Sequence, residues 1–160
     1  MTRVASIGAI AAAALAAGAV ACATVLASDH QDAKTVWAVF GPAVGWSFVG
    51  TGLYAWQRRS ESRIGVLMIL LGFAWFVYIL QASNATAVYT AALILGGLWG
   101  SVFLHIGLSF PTGRLPSGID RALVIAGYVI FPLAFVPPLF FAGRERGRGD
   151  GAADQRSPVH

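Results

Sequence analysis

The residues Ile64-Gly65-Val66-Leu67-Met68-Ile69-Leu70-Leu71-Gly72-Phe73-Ala74-Trp75-Phe76-Val77-Tyr78-Ile79-Leu80-Gln81-Ala82 decide the fold. No position in this run is charged, and only Gln81 is strongly polar. A helix that crosses the hydrocarbon core of a bilayer needs about 20 apolar residues, and this stretch supplies them. The run is not isolated. No Asp, Glu, Lys or Arg falls within 4–28, 35–57, 64–113 or 122–143. The whole chain of 160 residues is 57% hydrophobic and 11% charged, where an average soluble domain carries about 25% charged residues. Its mean hydropathy is +0.70. These values exclude a soluble globular domain, a disordered chain and a disulfide-rich secreted module.

Working outward from 64–82, five hydrophobic segments emerge: 4–28, 36–56, 64–82, 88–110 and 122–142. Lipid offers a backbone no hydrogen-bond partners, so a span is either a helix or part of a closed barrel. Barrel strands would alternate polar and apolar residues at period two, and these runs do not. The expected fold class is therefore all-α: a polytopic membrane bundle of about five helices over 1–142. A polar, disordered tail is expected over 143–160, where the composition turns to glycine, arginine and aspartate. The first segment competes with a secretory signal peptide, but its apolar run is longer than the usual 7–15-residue core. Ala19-Val20-Ala21-Cys22 loosely matches a lipoprotein cleavage box, yet the apolar run continues through Ala27, which favours a membrane-buried cysteine. A single cysteine also excludes an internal disulfide and any multi-cysteine metal or iron–sulfur site.

Cytoplasmic loops collect Lys and Arg. An N-terminus on the cytoplasmic face places Arg3, Arg58, Arg59, Arg63, Arg114 and Arg121 inside, and leaves Lys34 outside. That bias predicts a multi-pass protein of the plasma membrane with a cytoplasmic N-terminus. The tail breaks the pattern: five spans would put Arg144, Arg146, Arg148 and Arg156 outside. The expectation drawn from this is a truncated chain, with incomplete crossing of the proline-containing fifth segment as the alternative.

No enzyme motif is present. The chain lacks a phosphate-cradling glycine-lysine loop, a His-Glu-x-x-His pair and a Gly-x-Ser-x-Gly elbow. No carboxylate lies within a span, which argues against a pump or transporter. His105 is the one His, Asp, Glu, Lys or Arg inside a span, on a face shared with Gly97, Ser101 and Ser109 at intervals of four. It reads either as a sensing or ligand contact or as a neutral histidine hydrogen-bonded across a helix interface. Haem is disfavoured because His30 and His160 lie outside the spans, so no cofactor and no metal are expected. Trp46, Trp75 and Trp99 lie deep enough to line a cavity for an apolar signal or to pack between helices. Gly41-x-x-x-Gly45 and Gly96-x-x-x-Gly100 carry the small-residue spacing that lets helices approach closely in lipid. Expected partners are the bilayer and either a second copy or other membrane helices. Nucleic acid is not among them, because the cations sit in loops without interleaved aromatics.

Several stretches together resemble a known family: Trp46-Ser47-Phe48-Val49-Gly50, Gly52-Leu53-Tyr54-Ala55-Trp56, Arg63-Ile64-Gly65-Val66-Leu67-Met68, Gly72-Phe73-Ala74-Trp75-Phe76, and the helix end Phe110-Pro111-Thr112-Gly113-Arg114-Leu115. Over 36–142 the chain resembles the N-terminal multi-span input region of sensor histidine kinases from high-GC Gram-positive bacteria. There a helix commonly ends in Phe-Pro-Ser/Thr-Gly-Arg-Leu at the inner membrane face. The resemblance implies a signal-input role in a two-component system and a dimeric parent. The chain itself has no phosphoacceptor box, no Asn box and no glycine-rich ATP lid, so no enzymatic activity is expected of it. The alternative reading is a free-standing small membrane protein that packs with partner helices. A carrier or channel subunit comes third.

Overall fold

The computed structural model describes residues 2–59 and 62–134. All regular structure among them is helical: α1 (Thr2–Ala27), α2 (Lys34–Arg58), α3 (Ile64–Ile79) with a 3₁₀ turn at Leu80–Ala82, α4 (Thr86–Gly96), α5 (Leu98–Ser109) and α6 (Gly118–Ala134). Four stretches are long and apolar enough to cross a membrane: Val4–Ala27, Lys34–Arg58, Ile64–Ala82 and Thr86–Ser109. Phe40, Val36, Leu70, Phe103 and Ile130 are among the large apolar side chains on the surface, as suits helices whose surroundings are lipid.

The structure departs from the expected spans in two places. The fourth segment, expected unbroken over 88–110, begins at Thr86 and is interrupted at Gly97, where α4 hands over to α5. Two adjacent glycines are poor helix formers, and the backbone of α6 crosses here. A Cβ on Gly97 would lie 2.5 Å from the carbonyl oxygen of Phe131. The fifth segment, expected over 122–142, begins earlier, at Gly118. Ser117 explains the early start: its Oγ accepts from the Asp120 N–H at 3.0 Å, and the Asp120 carboxylate accepts from the Ser117 hydroxyl and N–H at 2.7 and 3.2 Å. This reciprocal cap satisfies first-turn donors. The expected continuation to 142 and the tail at 143–160 lie outside the described residues.

The core sits between α1, α2 and α3, and small residues fill much of it. Buried positions on α1 recur at Ala14, Gly18, Ala21, Val25 and, just past the helix end, Ser28. That alternation of four and three residues is the spacing of a knobs-into-holes seam. α3 is the central helix, packed against α1, α2, α4 and α5. Its contact with the antiparallel α2 is made backbone to backbone. A Cβ on Gly52 would fall 2.7 Å from the Gly65 carbonyl oxygen, and one on Gly65 would fall 2.8 Å from that of Gly52. One helical repeat further on, a Cβ on Gly72 would meet the Gly45 carbonyl oxygen at 2.7 Å, while Gly45 itself faces the Phe76 ring.

One side chain reaches across each sequential interface to a neighbouring backbone carbonyl. Trp46 Nε1 donates to Ala14 O at 2.8 Å, Trp75 Nε1 to Gly41 O at 2.8 Å, Gln81 Nε2 to Ala92 O at 3.3 Å, and Ser101 Oγ to Gly127 O at 3.0 Å. Asn84 closes the end of the bundle away from the arginine-bearing loops. It donates to Ala27 O at 2.8 Å and to the Asp29 carboxylate at 2.9 Å, and accepts from the Asp29 N–H at 3.0 Å.

Gly72→Ala is expected to destabilise the bundle by about 1–3 kcal/mol, the usual cost of overpacking, read as loss of helicity on titration with a denaturing detergent. Gly50→Ala, whose added methyl meets nothing within 4 Å, should leave stability unchanged or slightly raised. Equal effects from the two substitutions would contradict the α2–α3 assignment.

Candidate functional site

The residues singled out in the sequence fall into three groups. Trp46 stands apart from the other tryptophans: its ring covers Gly18 and its N–H is bonded to Ala14, so it belongs to the α1–α2 interface. Trp75 and Trp99 meet edge to face with centroids 5.7 Å apart, and Tyr78 completes the cluster at 5.4 Å from Trp75 and 6.1 Å from Trp99. Such offset and edge-on arrangements are the favoured ones for aromatic rings. The Trp99 Nε1 is buried and has no hydrogen-bond partner.

Tyr78 also walls a cavity of about 200 Å³ at the Asn84 end of the bundle. Trp37 and Tyr89 supply further aromatic surface there, and Gln31 and Gln81 supply polar groups. The lining is amphipathic, as fits a small ligand that is mostly apolar with one or two hydrogen-bonding atoms.

The second group forms a polar seam between α5 and α6. Ser101 is fully buried and donates to Gly127 O. One turn further along α5, His105 Nδ1 lies 3.4 Å from the Tyr128 hydroxyl, with the two rings edge to face at 6.1 Å. Ser109 turns back on its own helix, donating to His105 O at 2.6 Å. Glycines permit the close approach: Gly127 sits against Leu104, and Gly100 against the ring of Phe131. Pro132 has no N–H to donate, which leaves the Tyr128 carbonyl without its ordinary partner within α6.

Of the other expected packing glycines, Gly41 lies against Ile79 and Gly96 against the Gln81 side chain. The tightest helix contact, however, runs through Gly45, Gly52, Gly65 and Gly72. These are spaced by seven along each helix, a pattern that a search for spacings of four does not find. Tyr128, the histidine's neighbour, was also missed. It is the one hydroxyl-bearing residue in 122–142, and that isolation is a usable signal.

The third group is the helix-end motif. Phe110 is exposed, and Gly113 adopts φ +75°, a backbone conformation that favours glycine. The Gly113 N–H donates to Ser109 O at 2.7 Å, closing the end of α5. The loop is pressed onto the start of α3: a Cβ on Gly113 would lie 2.8–2.9 Å from Arg63 and the Ile64 nitrogen. Ser62 Oγ donates to Thr112 O at 3.3 Å, and the Arg114 N–H donates to Thr112 Oγ1 at 3.3 Å. Arg114 and Leu115 thereby join Arg63, Arg121 and His105 around a cleft of about 400 Å³. Among the described residues there is no group of His, Cys, Asp and Glu suited to hold a metal.

Ser101→Ala is expected to loosen α6 from α5. Hydrogen bonds between membrane helices contribute about 0.6–2 kcal/mol, so amide exchange within α6 should speed up roughly 3- to 30-fold. Unchanged exchange in α6 would show that the seam does not hold it. No protein-family model, no curated protein and no solved structure matches this chain.

Proposed function

We propose that the chain is an integral membrane protein and the signal-input region of a two-component sensor histidine kinase, without catalytic output of its own. The observation that carries this reading is the polar seam of Ser101 with Gly127 and His105 with Tyr128. A contact of this kind fixes the register of α6, the last described helix, against the body of the bundle. In lipid, a displaced partner leaves a polar group unsatisfied, so such a seam favours discrete arrangements over continuous sliding.

The aromatic cluster supplies a physical route to that seam. Tyr78 walls the cavity at the Asn84 end and touches Trp99, and Trp99 lies on the same helix as Ser101 and His105. A ligand or lipid that fits the cavity better in one packing of Tyr78 than in another would shift the population of α6 positions by its difference in affinity. The phrase Phe110-Pro111-Thr112-Gly113-Arg114-Leu115 supports the assignment by resemblance.

A second reading, a small membrane protein that packs with partner helices, rests on α1. Only Ala14, Gly18, Ala21 and Val25 are buried within its spanning stretch, which leaves most of its surface open to lipid or to another helix.

Joining α6 in continuous helical register to the dimerisation helix of a histidine kinase core tests the first reading. Autophosphorylation should change severalfold with His105→Ala and Tyr78→Ala, and should alternate as single residues are inserted at the junction. Output indifferent to both would favour the second reading. The chain by itself is expected to incorporate no phosphate from ATP, and labelling on any of its histidines would overturn the assignment.

A further inference from the structure

We propose that the cleft between the start of α3, the end of α5 and the start of α6 is a binding site for a phosphate anion, supplied by the headgroup of an anionic phospholipid. Among the described residues, Arg63, Arg114 and Arg121 line it together with His105, and no carboxylate does. Arg63 lies 51 residues before Arg114 and arrives from a different part of the chain than Arg114 and Arg121, so their convergence is a property of the fold. At about 400 Å³ the cleft has room for a headgroup phosphate.

The surroundings leave the guanidinium groups available. Among the described residues, none of the three makes an ion pair or a side-chain hydrogen bond. Asp120, adjacent to Arg121, has its carboxylate engaged by Ser117 in the cap of α6. The backbone that carries the arginines is held in place by Gly113 against Arg63 and by Ser62 against Thr112. Three like charges gathered on a fixed frame repel one another, and a bound anion relieves that repulsion. Arginine is suited to the task because its planar fork meets two phosphate oxygens at once. α3 and α6 both begin at this end, and helix N-termini favour anions.

The position selects the lipid over a soluble phosphate. The cleft lies at the ends of Ile64–Ala82 and Thr86–Ser109, two stretches long and apolar enough to span, at the depth where headgroups would sit. The site does not depend on the kinase reading: a packing protein with the same three arginines so placed would hold it equally.

Native mass spectrometry of the full chain in a neutral detergent reads the site directly. The probes are dioleoyl phosphatidylglycerol, dioleoyl phosphatidylcholine and inorganic phosphate. One phosphatidylglycerol is expected to bind at least about tenfold more tightly than phosphatidylcholine, and Arg114→Gln and Arg121→Gln should each weaken it by about tenfold or more. Arg114→Lys, which keeps the charge and loses the fork, should fall between. Arg58→Gln is the control, since it removes the same charge from the same end of the bundle. Its guanidinium lies 5.5 Å from the Tyr54 ring centroid, outside the cleft, and its effect should stay within about twofold. Circular dichroism checks that each variant folds, and Arg121→Gln stands in if Arg114→Gln does not. Inorganic phosphate that displaces the lipid at similar concentration, with the same arginine dependence, would keep the anion site and overturn the lipid source. Equal losses from Arg58→Gln and Arg114→Gln, or equal binding of the two lipids, would overturn the site.

Discussion

The contact on which the bundle depends is the backbone-to-backbone crossing of α2 and α3. Gly45 and Gly52 on one helix meet Gly65 and Gly72 on the other; a single Cβ on Gly52, Gly65 or Gly72 would collide with a carbonyl oxygen or a backbone nitrogen, and one on Gly45 with the Phe76 ring. In lipid, the apolar faces of helices gain little by leaving their surroundings, so close van der Waals contact has to hold them together. Glycine provides that contact by letting the main chains approach. Because α3 also touches α1, α4 and α5, its placement against α2 determines where the other helices can sit. The small side chains of the core, Ala14, Ala21, Ala38 and Ala82 among them, belong to the same tight geometry.

Hydrogen bonds complete what the glycines begin. Trp46, Trp75, Gln81 and Ser101 each place a donor on the carbonyl of a neighbouring helix. A helical carbonyl has a second lone pair to offer, so these bonds leave the donating backbone ladder intact. Each also fixes rotation, which apolar packing alone fixes poorly. The Ser101 bond and the His105–Tyr128 contact give α6 a preferred seating on α5. The unpartnered Trp99 Nε1 sits beside this chain of fixed contacts, within the aromatic cluster that touches the cavity. The bundle thus has two chemically distinct ends joined through α3 and α5: an amphipathic cavity bounded by Tyr78 and Gln81, and a cationic cleft bounded by Arg63, Arg114 and Arg121.

Helix existence was legible because uninterrupted apolar runs such as 64–82 admit one structure in lipid. Helix ends were less so. The Gly97 break depends on the crossing of α6 at Phe131, and the early start of α6 depends on the cap formed by Ser117 and Asp120. The first is a tertiary contact, and the second is a local capping signal that hydropathy does not register. The buried face of α1 was invisible because nearly every position in 4–27 is apolar or small, and no periodicity distinguishes the face at Ala14, Ala21 and Val25. The tryptophans illustrate the same limit. Depth in the span groups Trp46 with Trp75 and Trp99, whereas helix rotation sends Trp46 to α1. Ser101 and His105 stood out as polar residues in an apolar run, but Tyr128 and the gathering of Arg63 with Arg114 and Arg121 depend on how α3, α5 and α6 meet.

The central claim is that α2 to α5 cross a bilayer with the cavity and the arginine cleft on opposite faces. His30 and Pro116 are exposed residues at the two ends, and Cys22 is the one native cysteine. In a Cys22→Ala background, His30→Cys and Pro116→Cys can each be challenged with a membrane-impermeant maleimide on intact cells and again after permeabilisation. The account predicts that one of the two is labelled on intact cells and that the other reacts only once the membrane is opened. Labelling of both on intact cells, or of neither, would contradict it.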